Sequence, residues 1–326
     1  MSQAKGEGTL DWFERITGFG EEEYASTQAR LRVEGNALVN EVTGRRWAMG
    51  RLEVVSLAEL RARAAVQPDG PALVPGVVRG DIRDLHLAFE QQGALIQVAS
   101  QFNLLEMVGP GVSPEDGVTG YAWDHTQGPA CAMAAGAATI YRNYLVPLAG
   151  SRGQRARRQI NTLADLGTAL GHDRQPVWTW RNGYALCSDE GLARVSRQLA
   201  SACAAEIDHL RGLLRIGLHW DVEVTDARQG PGPLVSQAYC SAMPVAYGRP
   251  PAHAWEPLAR LVLEAAYEAT LLAGVLNARR GASRRVLLTR LGGGAFGNEA
   301  AWITSAIERA LACVAGQNLE VLAVSR

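Results

Sequence analysis

The sequence predicts a layered α/β fold, because segments of strand length alternate with long apolar helices along most of the chain. Six segments have the length and apolar character of strands: residues 76–79, 94–99, 213–225, 234–242, 285–289 and 319–324. Four stretches rich in alanine and leucine have the character of helices: residues 128–145, 189–210, 256–278 and 298–314. Of the 326 residues 47% are hydrophobic and 20% are charged, which is the composition of a globular protein.

The region before the first of these strands is predicted to contain a helix over residues 56–66. Ser56 is a suitable N-cap, and Glu59 three residues later completes a capping box. Three prolines in residues 68–75 then indicate a linker or loop. We therefore expect an N-terminal extension over residues 1–75 and a single domain over residues 76–326, with a helical insertion at about 148–212.

The overall charge argues against partners that are recognised by bulk electrostatics. The formal net charge is -1, so we expect no nucleic-acid partner and no membrane partner. The basic run over residues 152–158 is a local exception, and a solvated loop explains it more simply than a binding patch. We also expect no membrane-spanning segment, since no apolar run was found to approach the necessary length. The first eight residues are polar and lack a hydrophobic signal region, which favours a cytoplasmic protein.

The cysteines give no indication of a metal centre. No pair has Cys-x-x-Cys spacing, and no cysteine lies at zinc-ligand spacing from a histidine. They lie in apolar segments, which is typical of reduced core thiols in a cytosolic protein. We expect neither a metal nor a cofactor. The five cysteines are Cys131, Cys187, Cys203, Cys240 and Cys313.

A glycine-rich loop near the C-terminus is a candidate anion site. The predicted strand 285–289 is followed by Arg290-Leu-Gly-Gly-Gly-Ala-Phe-Gly-Asn298 and then by a predicted helix. Glycines allow the backbone to approach a ligand closely, and free N–H groups together with the helix dipole favour phosphate. The loop is neither a Walker loop nor a dinucleotide fingerprint, and a tight turn between strand and helix explains it equally well.

Three segments, in order along the chain, resemble the ligand-binding elements of macrodomains, which bind ADP-ribose. The first is Arg79-Gly-Asp-Ile-Arg83, which is similar to the Gly-Asp-Ile-Thr element of that family. In the family the aspartate accepts a hydrogen bond from the adenine amino group, and the next backbone N–H binds the ring. The resemblance assigns these roles to Asp81 and Ile82.

The second segment is Leu95-Ile-Gln-Val-Ala-Ser-Gln-Phe-Asn103, which resembles the family's strand ending in Val-Asn-Ala-Ala-Asn. The resemblance implies that Asn103 reaches the distal ribose, whereas serine replaces the first asparagine. Residues 117–130 stand where the family has a Gly-Gly-Gly-Val loop, without its glycine run. Gln127, Gly128 and Ala130 are still expected to place N–H groups and a helix N-terminus at a pyrophosphate.

The third segment is Gly294-Ala-Phe-Gly297, which resembles the family's Gly-Ile-Tyr-Gly or Gly-Ile-Phe-Gly. In the family this loop wraps the pyrophosphate and lays an aromatic ring against the distal ribose. The implied ligand-binding residues of the loop are Gly292, Gly293, Gly294, Ala295, Phe296, Gly297 and Asn298. The resemblance covers roughly residues 76–145 and 213–326 and implies a three-layer α/β/α macrodomain with a mixed central sheet.

Three carboxylates are candidate catalytic groups, together with Asn103. Over residues 216–225 polar and apolar side chains alternate, which predicts that Asp221 and Glu223 share one face of a strand. That face either overlooks the distal ribose or is the solvated face of an edge strand. Asp124, just before a predicted helix, is either a catalytic group or a cap of that helix.

The expected function is a mono-ADP-ribosyl hydrolase that removes ADP-ribose from modified protein side chains. This chemistry breaks the bond at the anomeric carbon and needs a carboxylate to stabilise positive charge or to activate water. The motifs look closest to bacterial-effector-like macrodomains that release ADP-ribose from arginine. A non-catalytic ADP-ribose reader and a hydrolase of a small ADP-ribose derivative are the alternatives. The sequence does not separate protein substrates from small-molecule substrates.

Overall fold

The computed structural model of the chain describes residues 10–227 and 230–325. Residues 1–8, which the sequence analysis predicted to lack a signal region, lie outside the described residues. The helices are α1 Trp12–Thr17, α2 Tyr24–Arg30, α3 Leu57–Ala64, α4 Ile82–Leu87, α5 Gln127–Ala134, α6 Gly136–Ile140, α7 Ala164–Ala169, α8 Asp189–Ser201, α9 Ala204–Leu213, α10 Ala252–Arg279 and α11 Ala300–Cys313. The strands are β1 Arg32–Glu34, β2 Ala37–Val39, β3 Arg46–Ala48, β4 Arg51–Ser56, β5 Gly76–Arg79, β6 Leu95–Ala99, β7 Pro147–Leu148, β8 Ser151–Arg152, β9 Trp178–Arg181, β10 Tyr184–Cys187, β11 Arg215–Glu223, β12 Leu234–Cys240, β13 Arg285–Leu288 and β14 Glu320–Ser325.

A mixed seven-stranded sheet forms the centre of the molecule, in the order β4-β11-β12-β6-β13-β14-β5. The five strands from β12 to β5 are mutually parallel, and β11 runs antiparallel to both of its neighbours. All six strands predicted from the sequence belong to this sheet, within one or two residues at most ends. Because five of the strands run the same way, their carboxyl ends meet at one edge of the sheet, where open α/β sheets bind ligands.

Helices cover both faces of the sheet, so the fold has three layers. Successive residues of a strand point to opposite faces, and on β6 Leu95 packs into one hydrophobic cluster while Ile96 packs into the other. The first cluster contains α3, α8, α10 and α11, and the second contains α5. The predicted α/β/α architecture with a mixed central sheet is therefore confirmed.

Helix α10 is the central helix of the first face. Its most apolar window has a mean hydropathy of 1.3, and by length and composition alone the helix could cross a membrane. The expectation that no apolar run approaches this length was therefore wrong. The share of that window buried within the protein is 89%, because α10 packs against the sheet and four other helices. A helix that is apolar on every side is typical of a core position.

The N-terminal region contributes directly to the central sheet. Strand β4 pairs with β11 through six residue pairs. Helix α3 begins after Ser56 with the predicted capping box to Glu59. Its residues Leu57 and Leu60 are completely buried in the same core as α10. Residues 51–64 are therefore part of the three-layer fold, whereas the sequence suggested an extension outside it.

The segment predicted as a helical insertion contains a β-hairpin as well as helices. Strands β9 and β10 form an antiparallel pair between α7 and α8. Val177 and Ala185 of this hairpin region and Leu192 of α8 are buried in the main core. The sequence analysis did not predict this hairpin, which lies directly before the strongly helical stretch of α8 and α9.

The cysteines are all free thiols, and they are not all core residues. Cys131, Cys187 and Cys240 are buried, as predicted, but Cys203 is exposed at the start of α9. Within residues 10–227 and 230–325, no group of three or more histidine, cysteine, aspartate or glutamate side chains has the geometry to hold a metal ion.

Candidate active site

A cleft lies at the carboxyl ends of β6, β12 and β13. The chain continues from these strands into Ser100, Ala242 and Arg290, and all three residues line the cleft. Its empty volume, including the open mouth, is about 630 Å³. The position follows from the topology, because the three strands are adjacent in the sheet and parallel.

The glycine-rich loop after β13 forms one wall of the cleft. Gly292 has a φ of 73°, and a Cβ there would lie 2.5 Å from the Cβ of Ala242, so only glycine fits. Asn298 closes the loop: its backbone N–H donates to the Gly292 carbonyl at 2.9 Å, and its Nδ2 donates to the Met243 carbonyl at 2.8 Å. Asn298 therefore shapes the loop and does not line the cleft, and Gly293 and Gly297 also lie outside the lining.

The same loop presents a set of unpaired backbone donors to the cleft. Among the described residues, no protein acceptor lies in hydrogen-bonding position for the N–H groups of Gly292, Gly294, Ala295 and Phe296. These four residues line the cleft, and the side chain of Arg290 lines it too. Clustered backbone N–H groups beside a guanidinium are suited to bind a phosphate or pyrophosphate.

The N-terminus of α5 also borders this cleft. Gln127 and Gly128 form its first turn and line the cleft. Gly128 packs so closely on β6 that a Cβ would lie 2.2 Å from the Ala99 carbonyl oxygen. The Ala130 N–H instead donates to the Thr126 carbonyl at 3.4 Å, and Ala130 does not line the cleft. The structure thus brings together the two anion-binding elements predicted from separate parts of the sequence.

Asp124 also lines the cleft, as a half-buried residue just before α5. Its Oδ1 accepts a hydrogen bond from the Thr126 N–H at 2.8 Å. This bond supports the start of α5, as in the capping interpretation. The second carboxylate oxygen leaves Asp124 able to contact a ligand as well, so both sequence-based interpretations remain compatible with its position.

The most unusual residue in the cleft is Glu106, which sequence analysis missed. Its side chain is 1% exposed, and neither carboxylate oxygen has a hydrogen-bond partner among the described residues. Burial raises the pKa of Glu106 to about 7, although the Arg142 guanidinium 3.5 Å away opposes the rise. A buried carboxyl group that titrates near neutrality within a cleft is a strong candidate for a general acid or base.

The turn that carries Glu106 is held by a dense set of hydrogen bonds. The Leu105 N–H donates to the Asn103 Oδ1 at 3.1 Å, and the Met107 N–H donates to the Gln101 Oε1 at 2.8 Å. The Glu106 N–H itself donates to the Tyr121 hydroxyl at 2.9 Å. Asn103 is completely buried and does not line the cleft, so its predicted contact with a ribose is replaced by a structural role.

A lone carboxylate in an apolar segment was the feature of the sequence that could have identified Glu106. It is flanked by Leu104-Leu105 and by Met107-Val108, seven residues beyond the end of the predicted strand 94–99. An apolar environment of this kind disfavours a charge and therefore suggests a special role for the group. The resemblance directed attention to Asn103 instead, three residues earlier.

Three aromatic rings form the far wall of the cleft. Tyr184 and Tyr247 have ring centroids 5.1 Å apart, and Phe296 lies 5.5 Å from Tyr184 and 5.7 Å from Tyr247. The Tyr184 hydroxyl donates to the Met107 carbonyl at 2.8 Å, which ties the wall to the turn that carries Glu106. Tyr184 comes from the β9–β10 hairpin, so the inserted segment completes the cleft.

Asp221 and Glu223 do not reach this cleft. They lie near the start of β12, at the opposite end of the parallel strands from the cleft. Asp221 forms an exposed ion pair with Arg280, with an Oδ2–Nη1 distance of 2.6 Å. Glu223 accepts a hydrogen bond from the Ala48 N–H at 2.9 Å. Their prediction as groups facing the ribose is corrected by this position.

A β-bulge explains why the alternation in β11 did not correctly predict which side chains share a face of the strand. The pairing of β11 with β12 shifts register between His219 and Val222, and Asp221 there has a φ of 56°. Trp220 packs on one face of the sheet and Val222 on the other. The strict period of two therefore fails in the middle of the strand, as expected where one extra residue is inserted.

The predicted adenine site lies further along the same edge of the sheet. Asp81 follows β5, and its side chain caps α4 by accepting a hydrogen bond from the Arg83 N–H at 2.9 Å. Ile82 is buried beneath it. Both residues lie at the carboxyl end of a parallel strand, but β13 and β14 stand between β5 and β6, and neither residue lines the cleft. Their roles remain a prediction.

No protein-family model matches the chain, and no curated protein matches it. Among solved structures it is similar to the poly(ADP-ribose) glycohydrolase of Thermomonospora curvata, with a TM-score of 0.41 and 13% identity over 89% of this chain and 87% of that one. The enzyme of Deinococcus radiodurans in complex with ADP-ribose gives a TM-score of 0.42 and 13% identity over 84% and 86%. The T. curvata enzyme bound to the inhibitor ADP-HPD gives 0.40 and 15% over 89% and 86%. These values are too low to assign the chain to a family.

Proposed function

We propose that this protein binds an ADP-ribosyl group in the cleft and hydrolyses its glycosidic bond, acting as a mono-ADP-ribosyl hydrolase on modified protein side chains. The observation that carries the proposal is Glu106, a buried carboxyl group with a pKa raised to about 7, in the same cleft as an anion-binding loop. A binding module needs only the loop, whereas hydrolysis also needs an acid or base near the reacting bond.

The binding half of the proposal rests on two elements that line the same cleft. The loop with free N–H groups at residues 292 and 294–296 and the first turn of α5 suit the two phosphates of a pyrophosphate. The aromatic rings of Tyr184, Tyr247 and Phe296 offer an apolar surface for a sugar. The resemblance of three loop segments to macrodomains, each at the carboxyl end of a parallel strand, selects ADP-ribose among pyrophosphates.

The chemical half assigns Glu106 to proton transfer. Hydrolysis breaks the bond between the anomeric carbon and the leaving nitrogen or oxygen, and forms a new bond from that carbon to a water oxygen. Protonated Glu106 gives its proton to the leaving group, and the resulting carboxylate then takes a proton from the attacking water, so that the residue is regenerated. The same carboxylate stabilises the positive charge that develops on the sugar. Asp124 is the second carboxylate available in the cleft.

The non-catalytic reader remains the competing function, and two observations favour it. Glu106 is buried on the floor of the cleft, and two of the three carboxylates predicted from the sequence lie elsewhere. If Glu106 cannot approach the anomeric carbon, the cleft binds ADP-ribose without cleaving it. A small ADP-ribose derivative is a further possible substrate of the hydrolase.

The first experiment measures ADP-ribose binding by calorimetry and ADP-ribose release from arginine-, glutamate- and serine-linked protein substrates. Poly(ADP-ribose) and a small ADP-ribose ester serve as additional substrates. We expect binding together with release from at least one mono-ADP-ribosylated protein. Absence of binding contradicts the whole proposal. Binding without release from any substrate establishes the reader, and release only from the polymer or the ester reassigns the substrate.

The second experiment replaces the proposed acid and base. Glu106→Gln keeps the shape of the side chain but can neither give nor take a proton, so we expect turnover to fall by about a hundredfold or more while ADP-ribose affinity changes little. Glu223→Gln is the matched control, because this carboxylate is also buried but lies at the other end of the sheet. Equal turnover in wild type and Glu106→Gln rules out the catalytic assignment.

A further inference from the structure

Arg142 lies behind Glu106 with a side chain that is 0% exposed. Its Nε donates to the Leu104 carbonyl at 2.9 Å, and its Nη2 donates to the Thr139 hydroxyl at 3.1 Å. Its Nη1 lies 3.3 Å from the His219 Nδ1. The remaining close partner is the Glu106 carboxylate, 3.5 Å from Nη2. The guanidinium is thus fixed on several sides by the protein.

A fully buried arginine needs compensation, because its guanidinium stays protonated in proteins. The Tyr239 ring contributes part of this, with its centroid 3.7 Å from the guanidinium carbon. His219 contributes no charge, since burial and the neighbouring Arg142 hold its pKa well below the usual range. Among the groups that contact the guanidinium, Glu106 is the one that can carry a negative charge near neutral pH.

Arg142 also supports the backbone that carries Glu106. Leu104 has a φ of 63°, which is costly for a residue with a bulky side chain and is found mainly where the surroundings enforce it. The Leu104 carbonyl is the group to which the Arg142 Nε donates. Arg142 itself stands on a π-helical turn, Tyr141–Leu145, of the kind that is frequent at functional sites.

We infer that Arg142 is a positioning residue for Glu106, which fixes the turn at Leu104 and supplies the charge that compensates the Glu106 carboxylate. This inference rests on the proposed role of Glu106 and deepens it. Arg142 itself lies outside the lining of the cleft, so it acts through Glu106 and not on the ligand.

Other ionisable groups near Glu106 do not replace Arg142 in this role. Burial raises the pKa values of Tyr121, Cys131 and Tyr239, so these groups are neutral near pH 7. The charged residues that share the cleft with Glu106 are Asp124 and Arg290. Arg142 is the charged group that counteracts the effect of burial on Glu106, and its removal should leave that effect opposed by the Tyr121 hydroxyl alone.

The test follows the titration of Glu106 without any substrate. Four proteins are compared between about pH 5 and pH 9: wild type, Glu106→Gln, Arg142→Met and the double variant. At each pH, the difference in unfolding midpoint between the protein with Glu106 and its Glu106→Gln partner reports the protonation of Glu106. We expect the titration midpoint to rise by about one pH unit or more in Arg142→Met, as for the loss of an adjacent opposite charge. The Glu106-dependent limb of the pH profile of kcat/KM should move by the same amount.

Arg309→Met is the matched control. Arg309 also forms ion pairs, to the buried Glu268 and to the more exposed Asp208, but these lie on the α10 face of the sheet away from Glu106. The control should lower the unfolding midpoint and leave the titration of Glu106 in place. A shift of equal size in both variants, or no shift in Arg142→Met, overturns the inference.

Arg142→Lys separates charge from position. Lysine keeps the positive charge but cannot donate to both Leu104 and Thr139 with a rigid guanidinium. We expect the titration midpoint of Glu106 to stay near the wild-type value while kcat falls about tenfold at unchanged KM, because the carboxylate is misplaced. If Arg142→Met does not fold, a wild-type kcat in Arg142→Lys overturns the inference.

Failure of the proposed function can be distinguished from failure of this inference. A wild-type protein that cleaves no substrate contradicts the proposed function, whereas the titration of Glu106 still tests the role of Arg142.

Discussion

At the scale of single residues, the buried carboxyl group of Glu106 lies in a position that is unfavourable for the stability of the protein. A carboxylate that is removed from water without hydrogen bonds destabilises the folded state, and its proton affinity rises until the neutral form competes. The turn held by Asn103, Gln101 and Tyr121 keeps the group in this position. Such a cost is common at active sites, where a strained or unfavourable group serves the reaction.

This cost leads to a prediction for the pH dependence of stability. The pKa of Glu106 is about 7 in the folded protein and about 4.3 in the unfolded chain. Between these values the folded state binds the additional proton, so its stability falls as the pH rises from about 4.3 to about 7. We expect Glu106→Gln to remove this loss and to be more stable than wild type at about pH 8, by up to about 4 kcal/mol.

Chemical denaturation of both proteins at about pH 4.5 and pH 8 measures this effect. The two free energies of unfolding should be similar at the lower pH and should diverge at the higher one. Glu223→Gln is again the control, because this carboxylate accepts hydrogen bonds and gains nothing from removal of its charge. Equal stability of wild type and Glu106→Gln at both pH values contradicts the raised pKa.

Asp124 provides a second prediction at this scale. Its Oδ1 accepts the Thr126 N–H, and an asparagine side-chain oxygen can accept the same bond. We expect Asp124→Asn to keep the stability of the protein within about 0.5 kcal/mol, since the support of α5 is retained. Turnover then shows whether the charge matters: a fall of about tenfold or more with unchanged affinity assigns Asp124 to the reaction. Unchanged turnover leaves Asp124 with its structural role alone.

At the scale of elements, the glycine loop after β13 separates two kinds of glycine. Gly292 and Gly297 have positive φ values and close neighbours, so they are needed for the shape of the loop itself. Gly294 has no atom within 4 Å of an added Cβ and lines the open cleft. Only Gly294 therefore tests ligand binding independently of folding.

We expect Gly294→Val to abolish ADP-ribose binding while the unfolding midpoint stays within about 2 °C of wild type. A valine side chain would fill the space in which a phosphate approaches the backbone. Gly20→Val is the matched control, because Gly20 is exposed, has open space around it and lies away from the cleft. Calorimetry and a thermal melt measure the two quantities. If Gly294→Val binds ADP-ribose with wild-type affinity, the loop only connects the strand to the helix and does not bind the ligand.

At the scale of the whole molecule, residues 51–64 of the N-terminal region belong to the central sheet and to its core. Removal of residues 1–75 would expose the edge of β11 along its pairing with β4 and would take Leu57 and Leu60 out of the core. We expect a fragment of residues 76–326 to be insoluble or to lack a cooperative unfolding transition, because a long unpaired strand edge and an open core promote aggregation. Circular dichroism and a thermal melt, with the full chain as control, test this. A fragment that melts like the full chain would make the region a true extension.

The sequence by itself determined the elements and their order. Each of the six predicted strands has enough apolar residues to be buried in a sheet, and the capping box at Ser56 sets a helix start through local hydrogen bonds alone. The glycine loop and the start of α5 were also identified locally, because glycine and helix N-termini act through the backbone within a few residues.

The tertiary structure alone decided which side chains meet in the cleft. Asp221 and Glu223 lie at the end of the sheet opposite the cleft because β11, which carries them, runs antiparallel to β12, and the bulge at Asp221 depends on the same pairing. The burial of Glu106 depends on Arg142 and Tyr121, which are distant in sequence. Proton affinity is set by the groups and the solvent that surround a carboxyl in space. For that reason Glu106 could be identified as a candidate catalytic residue only from the tertiary structure, which shows the groups that surround it.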